Sequence, residues 1–500
     1  MKTMLKLPQL CSAVLLLSCT TSELLPDKAG VSPTSPAIVV TNPNPDNFSS
    51  ILPGLYPFAD ADRQFYIKEK TSYTSSMNVN ALFSTKMASP DMGEIVNSGE
   101  KVNMVAIGGG LTAGFRNGGL YRAGQMTAYP NLVARQMGIT DFQSPLFGEN
   151  EANGTGYVQL IDDGSKYPTW KEVTNNLAPL KAGVPPELSR YEGGTINNYA
   201  VPEGGIDILF SNLSCNNCTF YNGKSWTNGM VFGSRMSPST IDVKKVSLFN
   251  QMKKKNANFF IAEDDFDKLM YMVKDNSLSA LSSYGYDIFT LGRGDYPRNL
   301  KKSFEEGGGT IKGVVFTYPI ITDLAFLNWY KTEELKDKAK NLSIIYERNN
   351  QVLNLDLNSN FLLMPTSKVD ALFRNLKKGD DVKIILTNAD VMDSQELHNN
   401  TYFIKRNNEV IKQSAQNSNL ALVDLEKIYA QINTNSYLSN DGFKVTGGGR
   451  GNFFSADGIY PSAIGQAVIA NEVIKAINST YKSNIPLINL NDYSKTVGKE

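Results

Sequence analysis

Few side chains in this sequence stand where they could do chemistry, and the best-framed of them surround a turn. Residues Met104 to Phe115 read MVAIGGGLTAGF, an apolar run ending in Gly108, Gly109 and Gly110. A buried strand that delivers a loop to a ligand has this outline. Three chemistries compete for it. A dinucleotide fingerprint needs G-x-G-x-x-G opening a helix, with an acid about twenty residues on. Gly108, Gly110 and Gly114 miss that spacing by one residue, and no such acid closes a short βαβ unit. A phosphate loop needs Gly-Lys-Ser/Thr, which is absent. A catalytic loop needs an attacking atom at its tip, and glycine has none.

Other reactive residues are sparse. The single histidine, His398, sits in the polar stretch DSQELHNN, where a surface position is expected. Glu263, Asp264 and Asp265 lack the alternating spacing of a cation loop, so a solvated turn is expected there. Asp457, in SADG ahead of the last helical pattern, can cap that turn through backbone N–H groups or act as an acid or base. Cys215 and Cys218 lie in SCNNC. Zinc needs about four N/S ligands, which this pair and one histidine do not supply. An oxidised loop staple is expected, with a redox CxxC as the alternative. No metal or cofactor is expected.

The elements that must position these residues alternate. Apolar runs predict strands at Val102 to Ile107, Ile206 to Phe210, Asp287 to Leu291, Gly313 to Thr317, Val382 to Thr387 and Leu420 to Leu425. Helical patterns cover Pro130 to Met137, Phe266 to Met272, Thr332 to Asn349, Val369 to Leu376 and Ser462 to Ile477. Alternation of this kind implies an α/β domain with a mostly parallel sheet. Glycine- and asparagine-rich stretches at about 148–200 and 211–240 read as surface insertions rather than a second core. The aromatic residues, Trp170, Trp226 and Trp329 among them, read mainly as packing.

The N-terminus speaks to location. Lys2 and Lys6 precede the apolar segment Leu10 to Leu17, then Ser18 and Cys19. That run is too short to span a bilayer and has the layout of an export signal. Leu16-Leu17-Ser18-Cys19 resembles a lipobox, which implies cleavage before Cys19 and a diacylglycerol anchor on its thiol. Cys11 leaves with the signal. Residues 1–18 are thus the signal and 19–54 a lipidated flexible tether, rich in Pro, Ser, Thr and Asn. The ordered domain is expected over 55–480, with 481–500 as a tail. Thr20 in place of an aspartate after the lipid cysteine favours the outer membrane. Formal charge balances at zero over 500 residues, which argues against nucleic acid as a partner.

Two blocks carry a family resemblance. GGGLTAGF with RNGGLYRAGQMTAYPNLVARQMG, and ADGIYPS with AIGQAVIANEVIKAIN, resemble the first and last blocks of the SGNH, or GDSL-type, hydrolases. The likeness is closest to large lipoproteins of that family in Bacteroidetes-type bacteria, and KGVVFTYPI resembles their middle segment. The resemblance implies a flavodoxin-like three-layer sandwich with long insertions. It also implies where catalysis has been lost. The family's block-one serine nucleophile falls at Gly110, its general-base histidine at Tyr460, and its triad aspartate at Asp457. Block two, NNYAVPEG, puts Glu203 or Gly204 at an oxyanion glycine. Block three, FTLGRGDYP, puts Tyr296 near an oxyanion asparagine, with FFIAEDDF at 259–266 competing for that assignment.

A serine mechanism needs a hydroxyl and a base that titrates near working pH. Glycine lacks the first, and a phenol with a pKa of about 10 is not the second. The expectation is a catalytically inactive SGNH-like lipoprotein on the outer membrane. It would serve as an accessory subunit of a membrane β-barrel or hold a glycan, lipid or peptide. The alternative is an esterase using Thr112 or Ser455.

Overall fold

The computed structural model describes residues 65–73, 75, 77, 89–97, 99–181, 186–210, 228–236, 246–264, 266–275, 295–306, 309–348 and 350–498. The export signal, the tether, Cys19, Cys215, Cys218 and the strand expected at Asp287 to Leu291 lie outside the described residues.

The chain is mixed α/β, centred on a four-stranded parallel sheet. Its strands are β1 (Met104–Ile107), β2 (Phe259–Ala262), β3 (Lys312–Phe316) and β4 (Ala421–Val423), side by side in that order. Every residue of MVAI and FFIA is buried, as strands covered on both faces require. One more rung lies outside β1. Ala106 bridges Asn198 in parallel, and Tyr199 and Val201 donate N–H bonds to the carbonyls of Ala106 and Gly108, each at 2.8 Å. The chain therefore leaves β1, lays residues 197–201 on one side of it, and returns to place β2 on the other. Such a reversal is where open parallel sheets site their ligands, beyond the strand C-termini. Gly108 to Gly110 stands there.

Four helices matter to the site: α1 (Gly110–Ala113), α2 (Tyr129–Gln136), α3 (Lys268–Asp275) and α4 (Ala463–Tyr481). Ser462 caps α4 by accepting from Gly465 N–H, and the helix buries Val468, Ile469, Val473 and Ile477 against α2 and β4. Its period-3.6 apolar pattern and N-cap are both local signals.

Several expectations are corrected. Ile206 to Phe210 is not a strand but part of a helix, Gly205–Phe210. Glu203 and Gly205 both hold positive φ, 56° and 48°, turning the chain out of its extended path after the edge rung has formed. Thr332 to Asn349 is helical only over Thr332–Lys338; Ala339–Arg348 is a strand. The β-branched and aromatic residues of LSIIYER favour that outcome. It pairs in parallel with Asp380–Thr387, so the apolar run at Val382 joins a separate three-stranded sheet instead of the central one. A second core follows, built on Tyr330, Leu335, Ile344, Val369, Phe373 and Leu386. The 148–200 stretch forms strands Tyr157–Leu160 and Trp170–Val173, which pair with each other in another sheet, where Trp170–Val173 also pairs with Ile67–Thr71. Residues 481–500 are not a loose tail over their described part. The helix Leu490–Val497 buries Leu490, Tyr493 and Val497 in the main core.

Candidate functional site

The turn after β1 is built around two buried carboxylates. Gly108 has φ +152°, and a Cβ there would lie 2.5 Å from Glu263 Oε1 and 2.6 Å from Thr112 Oγ1. Only glycine lets the backbone approach so closely. Gly109 N–H donates to Glu263 Oε1 at 2.5 Å, and Phe266 N–H donates to Glu263 Oε2 at 2.8 Å. One residue on, Gly110 N–H donates to both oxygens of Asp267, 2.9 Å each. Glu203 N–H donates to Asp267 Oδ2 at 2.5 Å, and the Tyr460 hydroxyl donates to Asp267 Oδ1. Asp267 is 0% exposed and Tyr460 1%. The Tyr460 ring packs on Phe115 and Phe266, centroids 5.1 and 5.4 Å apart.

The last block is tied to the first by Asp457. Its Oδ1 accepts from Ile459 and Tyr460 N–H at 2.8 and 2.9 Å, and its Oδ2 from Gly118 N–H at 3.1 Å. Ser455 Oγ accepts from Asn117 N–H at 3.1 Å, and Asn117 Oδ1 accepts from Ala456 N–H at 2.7 Å. Trp170 Nε1–H donates to the Ala456 carbonyl at 2.8 Å. Asp457 thus performs the turn-capping role open to it in the sequence, with one bond reaching across to the first loop.

No family model, curated protein or solved structure matches the chain. What the site can do rests on its own geometry.

That geometry brings Gly110, Glu203 and Tyr460 to one point, Asp267, and places Asp457 one turn away. It does not bring Tyr296 there. The Tyr296 hydroxyl donates to the Phe316 carbonyl at 3.0 Å and accepts from Phe316 N–H at 2.9 Å, fastening a helix to the end of β3. The segment that follows β2 supplies the acids instead: Glu263 from within the FFIAEDDF stretch and Asp267 one residue past its end. Its first two acids are not solvated: Glu263 and Asp264 are 3% and 6% exposed. Asp264 binds Lys268 Nζ at 2.8 Å and the Tyr318 hydroxyl at 2.6 Å. His398 lies exposed on the helix Ser394–Asn417, its ring beside Tyr402. Among the described residues, no three His, Cys, Asp or Glu side chains converge as metal ligands.

Asp267 is the residue that sequence reasoning missed. The available signal was an acid shortly after a fully apolar strand, where a solvated turn was the simpler expectation.

Burial sets the protonation of this cluster. It pushes the Asp267 carboxyl above its ordinary range, against the pull of the Tyr460 hydroxyl and the Glu203 and Gly110 N–H groups. Burial likewise raises Asp457, opposed by its three N–H donors. Burial, reinforced by the neighbouring Asp267, pushes the Tyr460 phenol well above its usual value, so it stays a neutral donor and never a base. A carboxyl whose folded pKa is raised contributes stability in full below its unfolded pKa, and that contribution fades as pH rises through the folded value. The melting temperature of the natural chain relative to Asp267→Asn should therefore move in favour of the natural chain as pH falls from 7 towards 4. Thermal melts across that range check it; movement in the opposite direction would refute the raised Asp267.

Proposed function

We propose that this chain is a lipid-anchored outer-membrane protein whose SGNH hydrolase-like domain is catalytically inert and serves as an accessory or binding subunit. The central sheet supports the fold assignment. Counting the 197–201 rung, the strands stand in chain order 2-1-3-4-5, the flavodoxin-like arrangement with its site at the reversal between the first and third. The observation that carries the loss of catalysis is that the place for an attacking oxygen is already filled. A Cβ on Gly110 would lie 2.6 Å from Asp267 Oδ1 and 3.0 Å from both Phe115 Cβ and Tyr460 Cε1. There is no room beside that peptide for a side chain, still less for an acyl group. A glycan, lipid or peptide seeking this point must first displace Asp267 and Tyr460, so the partner surface is better sought elsewhere on the domain.

The esterase alternative has less support. Thr112 is 0% exposed, its hydroxyl shared between Tyr129 Oη at 2.7 Å and Glu263 Oε1 at 3.3 Å. Ser455 is 2% exposed and accepts from the backbone. The purified protein should take no label from a fluorophosphonate probe and should leave short acyl esters unhydrolysed. A labelled Thr112 or Ser455 would end the inert reading. The accessory role predicts co-purification with a membrane β-barrel protein in gentle detergent, and repeated recovery of the chain alone would count against it. No helix of the described residues is long and apolar enough to cross a membrane.

A further inference from the structure

Backbone N–H groups aimed at one point make an anion site, because their dipoles are fixed in place before the anion arrives. Two such groups, from Gly110 and Glu203, meet a hydroxyl, from Tyr460, on the single carboxylate of Asp267. The donors come from three turns, and Asp267 reaches them across 157, 64 and 193 positions of sequence.

Each turn is held by bonds that do not involve Asp267. Phe115 N–H donates to the Gly110 carbonyl at 2.8 Å and Ala113 N–H to that of Gly109 at 3.0 Å. Val201 N–H binds the Gly108 carbonyl at 2.8 Å and Gly204 N–H that of Val201 at 3.1 Å, so the Glu203 turn is tied to the Gly108 turn directly. Tyr460 is held by Asp457 and by Ser455 N–H on its own carbonyl at 2.8 Å. Glu203 keeps φ +56° within this frame, a conformation few side-chain-bearing residues adopt. Its N–H is thereby pointed at Asp267 rather than along the chain. The donors are prearranged, and the carboxyl group is the separable part.

We propose that Asp267 is a tethered carboxyl group occupying a preformed three-donor site, and that this site accepts a free small carboxylic acid or its carboxylate when the tether is removed. The inference rests on the reading of this domain as a catalytically inert one, but its test measures ligand binding rather than turnover. The side chain acts as the chain's own occupying ligand: it closes the pocket to anything else while clamping the three turns together.

The test uses full-length Asp267→Ala. Its melting temperature should fall by about 5 °C, the scale set by leaving three buried donors unmatched in a chain of this size. Formate on the order of 100 mM should return at least about half of that loss, as a ligand binding only the folded state does. Sodium chloride at equal ionic strength should not, and the natural chain should not respond to formate. Equal effects of formate and chloride, or a variant that melts with the natural chain, would overturn the proposal. If the variant does not accumulate folded, its recovery on refolding in formate against chloride replaces the melt, and equal recovery would overturn it. Fluorophosphonate labelling of the natural chain would sink the inert reading and leave this result standing.

Discussion

Gly110→Ser together with Tyr460→His is expected to yield a protein that melts lower than the natural chain and hydrolyses short acyl esters no faster than buffer. Under the proposed SGNH likeness the pair supplies a nucleophile and a base. In the folded protein it supplies no working pair. The new Cβ at 110 meets Asp267 Oδ1 at 2.6 Å, and that oxygen is held by the Gly110 N–H and pinned again through Oδ2 by Glu203. Forcing atoms into such a packed site costs about 1–3 kcal/mol. Loss of the Tyr460 hydroxyl removes a donor from a buried carboxylate, worth about 1.5–3 kcal/mol more. The N–H groups that should stabilise a tetrahedral oxyanion would still be bound to Asp267. Measured turnover by the double variant would show that Asp267 leaves its donors readily, contrary to the geometry.

The second large effect belongs to Asp457. Asp457→Ala strands the N–H groups of Ile459, Tyr460 and Gly118 in a site where Asp457 is only 2% exposed. A buried donor left unmatched costs about 1–3 kcal/mol. Partial relaxation leaves an expected loss of about 3–5 kcal/mol, in the range reserved for broken buried networks. Asp457→Asn keeps one acceptor oxygen for Ile459 and Tyr460 and should lose about a third as much. Denaturant unfolding of both variants measures the difference. An alanine variant within about 1 kcal/mol of the natural chain would mean that Asp457 is not the tie between the first and last blocks.

These effects fall on residues that sequence and structure expose unequally. That residue 110 offers no hydroxyl and residue 460 a phenol is legible in the chain itself, because a side chain's chemistry is its identity. The same holds for β1 and for α4, whose apolar spacing and Ser462 cap are written within a few residues. The strand assigned to Ile206 to Phe210 failed because two positive-φ residues just ahead of it redirect the backbone. The second core failed to show because Ala339–Arg348 was absorbed into a helical pattern, and its partnership with Asp380–Thr387, across the intervening helix Ser367–Asn375, is not written locally.

Sequence alone, then, determined that the peptide at Gly110 carries no attacking side chain and that a capped helix of apolar spacing follows Ser462; both follow from residue identity and short-range spacing. Only the tertiary structure decided what faces the Gly110 peptide. Asp267 meets Gly110 from 157 residues away because the chain reverses direction between β1 and β2. No local pattern encodes which acid a given N–H will find when the strands that carry them come to lie side by side.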